Sequence, residues 1–527
     1  MTASNPVPEV SPETLDTQSF RRQMGQVSRH SGVFFAGTVF TAAASYLFKV
    51  YLARVLGARA LGIYALGMTV VGFLSVFNAL GLPQAALRFI PAYSATGKFE
   101  SLRSFLVRAL AVLLAANLVL GVAVLLAGPW IALRVYHTPE LQPFVGMFVL
   151  IMLLGVFTTF LAQVLGGYKA VARRTVISNF VGIPATMVIT VILVSLGLGL
   201  SGYVLAQIFS AVLVLGLMAG TAWRLTPRAA RAFSSTLPSL EKGVMSFSGA
   251  ALGLGLLQYL MSETDRVVLG IYRDAREVGI YAVAGSLIIF VTVVLRSVNQ
   301  IFAPVVSGLS AGEQRAVVSR MFQTLTKWIL GLTIPLAAGM IFFASGLMGI
   351  FGRDFRAGWL VLVIGTVGQL VNCGVGSSGT LLFMTGHQNA LVKIHASMAA
   401  LMVGLNLALT PRWGMTGAAI SMAATVCATN LWYLLEVRRR LGLSPYNRSY
   451  LRLLVPLAGA LAVLWLWRAR LGALHPQWLT IGAAVLLAYA IFISLALALG
   501  LDEDDRMIAR AVWSRVRSVI PRAEAGV

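Results

Sequence analysis

The chain has 527 residues, of which 58% are hydrophobic and only 11% are charged, and its mean hydropathy is +0.84. These values exclude a soluble globular domain and predict an all-α, polytopic membrane protein. The two cysteines, Cys373 and Cys427, lie in apolar runs without neighbouring metal-ligand residues, so we expect neither a disulfide framework nor a metal site.

Apolar runs long enough to cross a bilayer recur along the chain. A hydrocarbon core of about 30 Å needs about 20 residues of helix. Runs of about this length predict fourteen membrane spans, of which the thirteenth is short. They lie at 32–54, 61–82, 105–127, 144–166, 176–198, 202–222, 247–270, 279–303, 328–351, 358–383, 391–410, 415–436, 451–468 and 478–500.

Two short motifs recur at nearly the same spacing. Gly-Ile-Tyr-Ala occurs at 62–65 and again at 279–282, and a Gly-apolar-hydroxyl-Gly motif occurs at 199–202 and 414–417. Two matches at one period indicate an internal duplication, so we predict two lobes of six spans each. Because six is even, both lobes would run in the same direction through the membrane. Parallel repeats of this kind suit a transporter in which one lobe rocks against the other.

The duplication divides the chain into six predicted parts. The last two spans lie outside the repeat, and they form either a groove for a polyprenyl tail or a pair packed at the edge of the second lobe. The parts are a disordered cytoplasmic segment (1–30), the first lobe (31–223), a cytoplasmic linker (224–246), the second lobe (247–440), the two extra spans (441–500) and a basic, amphipathic cytoplasmic tail (501–527).

The positive charges indicate the orientation of the spans. If the N-terminus is cytoplasmic, most of the 41 Lys and Arg residues fall in inner segments, as membrane proteins generally require. We therefore expect both termini in the cytoplasm. The net charge of +23 then reflects orientation, and nucleic acid is not an expected partner. Lys49 and Arg296 are the two basic residues that this assignment to inner and outer segments leaves over, and both fall within predicted spans.

Several motifs resemble a known family. The first span ends in Leu-Ala-Arg-x-Leu-Gly-x-x-x-Leu-Gly-x-Tyr-Ala (52–65), and Gly81-Leu82 and Arg88 follow it. Together with Asp265-Arg266 and the segment 386–389 (Gly-His-Gln-Asn), these residues resemble bacterial oligosaccharide and polysaccharide repeat-unit flippases. Those flippases belong to the multidrug/oligosaccharidyl-lipid/polysaccharide exporter superfamily. The resemblance covers residues 30–440.

The resemblance implies a transporter rather than an enzyme, without a cofactor. Its cargo would be an undecaprenyl-pyrophosphate-linked oligosaccharide, moved from the inner to the outer leaflet of the bacterial inner membrane for surface polysaccharide biosynthesis. A polysaccharide polymerase and a chain-length regulator are the protein partners that it implies.

A pyrophosphate must be held by cations or by helix N-termini inside a partly desolvated cavity. Charges at the depth of Arg296 and Lys49 usually face a bundle interior or a wet cavity, although snorkelling to the interface is the alternative. We therefore predict an anion site at Arg296 and Lys49. Arg54 and Arg88 match family positions near helix ends and are included in the site.

Three charged residues near the outer end of the seventh span, Glu263, Asp265 and Arg266, are the candidates for a gate. The repeat spacing carries Lys49 onto positions 264–266. We predict that Lys49 or Arg54 pairs with Glu263 or Asp265 when the cavity opens inward, which would close the outer side. The alternative is that Asp265 pairs only within its own helix end.

Three other functions stay open from the sequence. A lipid II flippase belongs to the same superfamily, and its extra pair of helices resembles the last two spans. A cation-coupled multidrug antiporter needs a buried carboxylate, whereas the acids of the first lobe, Glu100 and Glu140, fall in predicted loops and the basic interior favours an anionic cargo. A membrane enzyme acting on lipid-linked sugars commonly has a large outer loop, and no catalytic pair stands out here.

Overall fold

The computed structural model describes residues 12–231, 242–308, 315–471 and 477–499. Nearly all of these residues are helical, and no strand occurs within the described ranges, which confirms the predicted all-α class. Eleven helical stretches are long and apolar enough to cross a membrane. The protein is therefore a multi-pass membrane protein. Residues 48–500 form one compact unit, and the molecule is described below from this unit alone except where the start of the first helix is given.

Eighteen α-helices follow one another along the described chain. They are α1 (Pro12–Ala79), α2 (Leu82–Ala95), α3 (Phe99–Trp130), α4 (Val145–Gly167), α5 (Val171–Thr175), α6 (Ile183–Leu193), α7 (Gly199–Leu225), α8 (Arg228–Arg231), α9 (Lys242–Tyr272), α10 (Ala275–Ile288), α11 (Val293–Gly308), α12 (Arg315–Phe342), α13 (Ala344–Gly349), α14 (Trp359–Val375), α15 (Ser378–Met384), α16 (Gln388–Leu441), α17 (Leu454–Leu471) and α18 (Gln477–Ala498). Short 3-10 and π turns extend or join several of them.

Three of the eleven apolar stretches are interrupted by a glycine with non-helical backbone angles. The glycines are Gly57 in α1, Gly197 before α7 and Gly414 in α16. Each glycine divides its stretch into two helical segments, which brings the eleven stretches to the fourteen segments that hydropathy predicts. The count of fourteen spans stays a prediction, because length and composition alone define these stretches.

The repeated Gly-apolar-hydroxyl-Gly motif forms the same turn twice. The first glycine of each motif takes nearly the same backbone conformation, with φ 50° and ψ −128° at Gly199 and φ 54° and ψ −135° at Gly414. Glycine adopts a positive φ without steric cost. The last glycine allows close packing, since a Cβ on Gly417 would lie 2.4 Å from the carbonyl oxygen of Leu409. The first glycine of the motif therefore ends one helix, and the last glycine lets the next helix pack closely against it.

Gly417→Ala is expected to destabilise the protein by about 1–3 kcal/mol, because the added methyl group meets backbone that cannot move aside easily. The measurement is the apparent unfolding temperature of the purified protein in detergent. Gly404→Ala in the same helix is the matched control, because a Cβ there meets nothing within 4 Å. Equal unfolding temperatures for the two variants would contradict the role given to Gly417.

Helix α2 is a structural feature that hydropathy misses, since it lies in a segment predicted to be an inner connection. It begins at Leu82 with a proline in its first turn, a position that proline tolerates well. Its residues Ala85, Ala86 and Ile90 are fully buried in a cluster with residues of α3 and α4. This helix has a buried face and an exposed face, and it contains Arg88. It is therefore too amphipathic to be recognised as a membrane span.

The structure describes the predicted cytoplasmic ends of the chain only in part. Helix α1 begins at Pro12, within the segment 1–30 that we predicted to be disordered. Proline in the first turn and the early acids Glu13 and Asp16 are both favourable at a helix N-terminus. The predicted amphipathic tail, 501–527, lies outside the described residues, as does the middle of the predicted linker, 232–241.

The two extra helices pack closely on the second half of the chain. Helices α17 and α18 contact each other and α12, and the buried residues at this junction include Ala460, Ala488 and Phe492. The Tyr489 hydroxyl donates a hydrogen bond of 2.6 Å to the carbonyl oxygen of Leu332 in α12. These contacts agree with the packing alternative for the last two spans, while a groove for a polyprenyl tail stays a prediction.

Candidate functional site

A cavity of about 570 Å³ lies among helices α9, α10, α11, α14, α15 and α16. This volume falls within the range of about 300–1,000 Å³ that ligand sites of proteins occupy. Every residue of its lining lies between Met261 and Tyr433, so the walls come only from the segment predicted as the second lobe. Because the cavity has both this volume and a partly polar lining, we take it as the candidate site.

The cavity wall on α9 carries three charged residues that interact with one another. An Arg266 Nη1 atom lies 2.8 Å from Glu263 Oε2, and about a quarter to a third of each side chain is exposed. The Asp265 carboxylate is 5% exposed and accepts hydrogen bonds from the Tyr281 hydroxyl at 2.5 Å and from the Arg266 backbone N–H at 2.8 Å. Glu263 thus contacts the Arg266 guanidinium group, whereas Asp265 contacts the Arg266 backbone.

Three buried polar atoms on the cavity wall have no hydrogen-bond partner among the described residues. They are Arg266 Nε, Asn299 Oδ1 and the Ser377 hydroxyl. Leaving such an atom unsatisfied costs about 1–3 kcal/mol. All three belong to residues that line the cavity.

Amide and hydroxyl side chains line most of the remaining polar surface. Asn372 Nδ2 donates to Gln369 Oε1 at 2.9 Å, and Tyr433 contacts His395 behind the wall. Amides and hydroxyls both donate and accept hydrogen bonds, so they match ligands that are rich in hydroxyl groups. The lining includes Ser262, Thr292, Asn299, Gln369, Asn372, Ser377, Thr380 and Asn430.

The structure brings four of the seven predicted site residues to this cavity. Arg296 on α11 lies in the same lining as Glu263, Asp265 and Arg266, its side chain is exposed, and no described residue pairs with it. Lys49 on α1 is also exposed and lies close enough to Arg266 for the two positive charges to repel each other. Lys49 is not part of the cavity lining itself.

The structure places Arg54 and Arg88 away from the cavity. Arg54 Nε donates a hydrogen bond of 2.8 Å to the carbonyl oxygen of Ile350. The Arg88 guanidinium lies 4.7 Å from the centre of the Phe247 ring, a cation–π contact on α9. Both arginines therefore join the first half of the chain to the second, and neither faces the candidate ligand space.

The predicted gate pairs are not present in this structure. Glu263 pairs with Arg266 and Asp265 with Tyr281, and within the described ranges neither acid pairs with Lys49 or Arg54. The Gly-Ile-Tyr-Ala spacing explains the difference, because it aligns Lys49 with Arg266 rather than with Asp265. Equivalent positions thus carry like charges. A pair that forms in another conformation stays a prediction.

The two copies of the repeat meet each other directly, which sequence analysis missed. A Cβ atom added to Gly62 would clash with the carbonyl oxygen of Ala275. A Cβ atom added to Gly279 would lie only 2.0 Å from the carbonyl oxygen of Ala58. The glycines of the two Gly-Ile-Tyr-Ala motifs therefore allow two helices to touch backbone to backbone. The sequence does show that the motif recurs, but recurrence alone does not predict that the two copies contact each other.

Two ion pairs flank this contact at equivalent positions of the repeat. Arg59 Nη2 lies 2.5 Å from Glu140 Oε1, and Arg276 Nη2 lies 3.0 Å from Asp354 Oδ1. Each arginine lies three residues before the first glycine of its Gly-Ile-Tyr-Ala motif. Glu140 is the second residue of one short 3-10 turn, and Asp354 is the first residue of another. The pairs are exposed and contribute little to stability individually. The two arginines are 217 residues apart, the spacing of the two Gly-Ile-Tyr-Ala motifs, and the duplication itself stays a prediction.

Comparisons with known proteins agree with this architecture. A family model described as polysaccharide biosynthesis protein matches residues 51–357. No curated protein matches the chain in sequence. A solved structure of the lipid II flippase MurJ in an inward closed conformation is similar, with a TM-score of 0.70, 14% identity and coverage of 91% of this chain and 99% of that chain.

Two structures of multidrug resistance MATE family transporters of the MOP superfamily are also similar. The inward-facing one has a TM-score of 0.61 at 15% identity and covers 75% of this chain and 94% of that chain. The outward-facing structure has a TM-score of 0.50 at 14% identity, and the match covers 79% of this chain and 94% of that chain. These similarities by themselves show a shared fold. Together with the family model, they bear out the resemblance predicted from the sequence. Because the family model covers more than half of the chain, the protein belongs to the polysaccharide biosynthesis protein family.

Proposed function

We propose that this protein flips undecaprenyl-pyrophosphate-linked oligosaccharide repeat units across the bacterial inner membrane by alternating access, for surface polysaccharide biosynthesis. Family membership supports a role in polysaccharide biosynthesis, and the exporter fold supports transport. The observation that carries the proposal is the polar cavity, in which two guanidinium groups and several amides face one space. Such a lining suits a ligand with an anionic group and many hydroxyls.

The cationic part of the cavity suits the pyrophosphate. Guanidinium groups bind phosphate oxygens in a bidentate manner, and such charge-assisted bonds are among the stronger hydrogen bonds in proteins. Arg296 has no partner among the described side chains, and Arg266 has a free Nε–H. Lys49, near Arg266, adds a third positive charge at the edge of this region. Cations inside a membrane protein usually mark a cargo path.

The amide part of the cavity suits the first sugars. Each sugar hydroxyl donates one hydrogen bond and accepts others, so it needs partners of both kinds. Gln369, Asn372, Asn299 and Asn430 supply both, and the unsatisfied Ser377 hydroxyl adds another. Because these residues all belong to the second half of the chain, the sugars would remain with one lobe while the other lobe moves.

The contact between the two repeat copies supports an inward-loading state. If both termini are cytoplasmic, residues 54–62 and 273–279 lie on the outer side of the membrane. The backbone contact of Gly62 with Ala275 then closes that side, and the hydrogen bond from Arg54 to Ile350 adds a second contact between the halves. The cavity would in that case receive its cargo from the cytoplasmic side.

Lipid II is the second candidate cargo. The observation that favours it is the match to the MurJ fold over 91% of this chain. Lipid II also joins a sugar to a polyprenyl chain through a pyrophosphate, so the same cavity chemistry suits both cargoes. The family description favours the repeat unit. A cation-coupled antiporter is a weaker third candidate. The buried Asp265 is the observation in its favour, because such an antiporter needs a buried carboxylate.

Deletion of the gene is expected to abolish surface polysaccharide and to accumulate a pyrophosphate-linked oligosaccharide in the cytoplasmic leaflet. Mass spectrometry of the accumulated lipid, with the wild-type gene returned as the control, tests the proposal. Accumulation of lipid II would instead support the second candidate. Unchanged lipid-linked sugars together with increased drug susceptibility would support an antiporter and contradict flipping.

A further inference from the structure

The ion pair between Glu263 and Arg266 occupies the wall where an anionic group would have to bind. The two side chains are 2.8 Å apart, and both line the cavity. Arg266 thus already has an anionic partner, the Glu263 carboxylate. An anion that binds Arg266 brings a second negative charge next to the Glu263 carboxylate.

We infer that Glu263 acts as a proton-dependent competitor for Arg266, so that binding of a pyrophosphate-linked ligand is coupled to proton uptake by Glu263. The inference rests on the proposed function, because the pyrophosphate is the anion. When the ligand binds, a pyrophosphate oxygen replaces the Glu263 carboxylate as the acceptor of the Arg266 N–H. The carboxylate takes up one proton from the surrounding solution. The new O–H bond of Glu263 replaces the bond that held this proton in a hydronium ion or a buffer acid, and no other covalent bond changes.

The charges around the pair favour this exchange. Lys49, Arg266 and Arg296 provide three positive charges, and Glu263 and Asp265 provide two negative ones, which leaves a surplus of one positive charge. A pyrophosphate carries a negative charge on each phosphate, more than this surplus can balance. Protonation of one carboxylate restores the balance in a region of low dielectric constant, where uncompensated charge is costly.

Glu263 rather than Asp265 is the group that can exchange. Asp265 is 5% exposed, and both of its oxygens accept hydrogen bonds, one from Tyr281 and one from the backbone of Arg266. Glu263 is more exposed, and its recorded hydrogen bond is to the Arg266 guanidinium alone. Loss of that bond leaves Glu263 facing the cavity, where a proton is available.

The other titratable and charged groups around the pair come from four helices. Lys49 approaches from α1, Tyr281 from α10 and Arg296 from α11. On α16, Tyr433 lines the cavity, and its hydroxyl lies 2.5 Å from Nε2 of His395. Of these groups, only His395 ordinarily titrates near neutral pH. A decisive experiment must therefore separate Glu263 from His395.

The test is calorimetric binding of a farnesyl-pyrophosphate-linked monosaccharide to the full chain in detergent. This probe has no group that titrates between about pH 6 and pH 8. Titrations in two buffers with different ionisation enthalpies give the number of protons taken up. The wild type is expected to take up a proton on binding and to lose up to about tenfold in affinity per pH unit as the pH rises.

Glu263→Gln is expected to bind the probe more tightly than the wild type at the upper end of this range and to take up no proton. Glu100→Gln, an exposed acid of α3 outside the cavity, and His395→Gln are expected to keep the wild-type proton uptake. Uptake that persists in Glu263→Gln, or that disappears in His395→Gln, would overturn the inference while leaving the anion site intact. Failure of the wild type to bind the probe would overturn the proposed function and this inference together.

Discussion

Gly279→Leu is expected to abolish export while the protein still reaches the membrane at a normal level. A Cβ at this position would lie 2.0 Å from the Ala58 carbonyl oxygen and 2.8 Å from the Gly62 backbone nitrogen, so a leucine side chain has no space there. The backbones of two helices must separate to admit it, because closely packed interiors accept extra volume only at considerable cost. If this contact closes the outer side, the variant cannot return to the inward-loading state.

Cysteine labelling measures the expected opening. A cysteine placed at Ser262 in the cavity, in a background with Cys373→Ala and Cys427→Ala, is expected to react with a membrane-impermeant maleimide from outside only in the Gly279→Leu variant. The matched control is Gly253→Leu on α9, where a Cβ meets nothing within 4 Å. Normal export by Gly279→Leu, or equal labelling of both variants, would show that the glycine contact is not an outer gate.

Arg296→Ala is expected to reduce export strongly without lowering the amount of protein. Arg296 lines the cavity and has no partner in the described part of the chain, so its removal breaks no recorded internal contact. A charge-assisted hydrogen bond is worth about 1.5–3 kcal/mol, which corresponds to roughly 10- to 150-fold in affinity. The double variant with Lys49→Ala should be more severe, because it removes a second cation from the same region.

The measurement is surface polysaccharide in a deletion strain that carries each variant at matched protein level. Arg412→Ala is the control, since that exposed arginine bonds only to a carbonyl of its own helix and lies outside the cavity. Activity that is kept by Arg296→Lys but lost by Arg296→Ala would indicate that charge alone matters rather than bidentate geometry. Unchanged export by Arg296→Ala would remove this residue from the anion site.

Hydropathy and glycine spacing predict much of this architecture, because a bilayer requires each span to satisfy its own backbone within an apolar helix. That requirement is local, so it can be recognised in a single sequence. The turns at Gly199 and Gly414 illustrate this, since the repeated motif predicts two equivalent turns and the structure has nearly the same backbone angles at both. The buried helix α2 was missed because its apolar face is buried by α3 and α4 rather than by lipid.

The candidate site could be predicted only in part from the sequence. Arg296 was identified because a charge inside an apolar run is rare. The amides Gln369 and Asn372 also lie inside such runs, but uncharged polar residues are common enough in packed helices that they gave no distinct signal. Arg54 and Arg88 were assigned from family positions, and the structure shows that a motif position does not say which neighbour a long side chain reaches.

The amino-acid sequence is enough to predict the membrane class, the helical segments and the recurrence of two motifs, because these depend on composition and on residues near one another in the chain. Contacts between helices, by contrast, bring Lys49 near Arg266, place Gly62 against Ala275, and form the cavity that the Glu263–Arg266 pair lines. They join residues that are far apart in the chain. They depend on how helices pack against each other, and helix packing is set by many small steric fits that no short motif records.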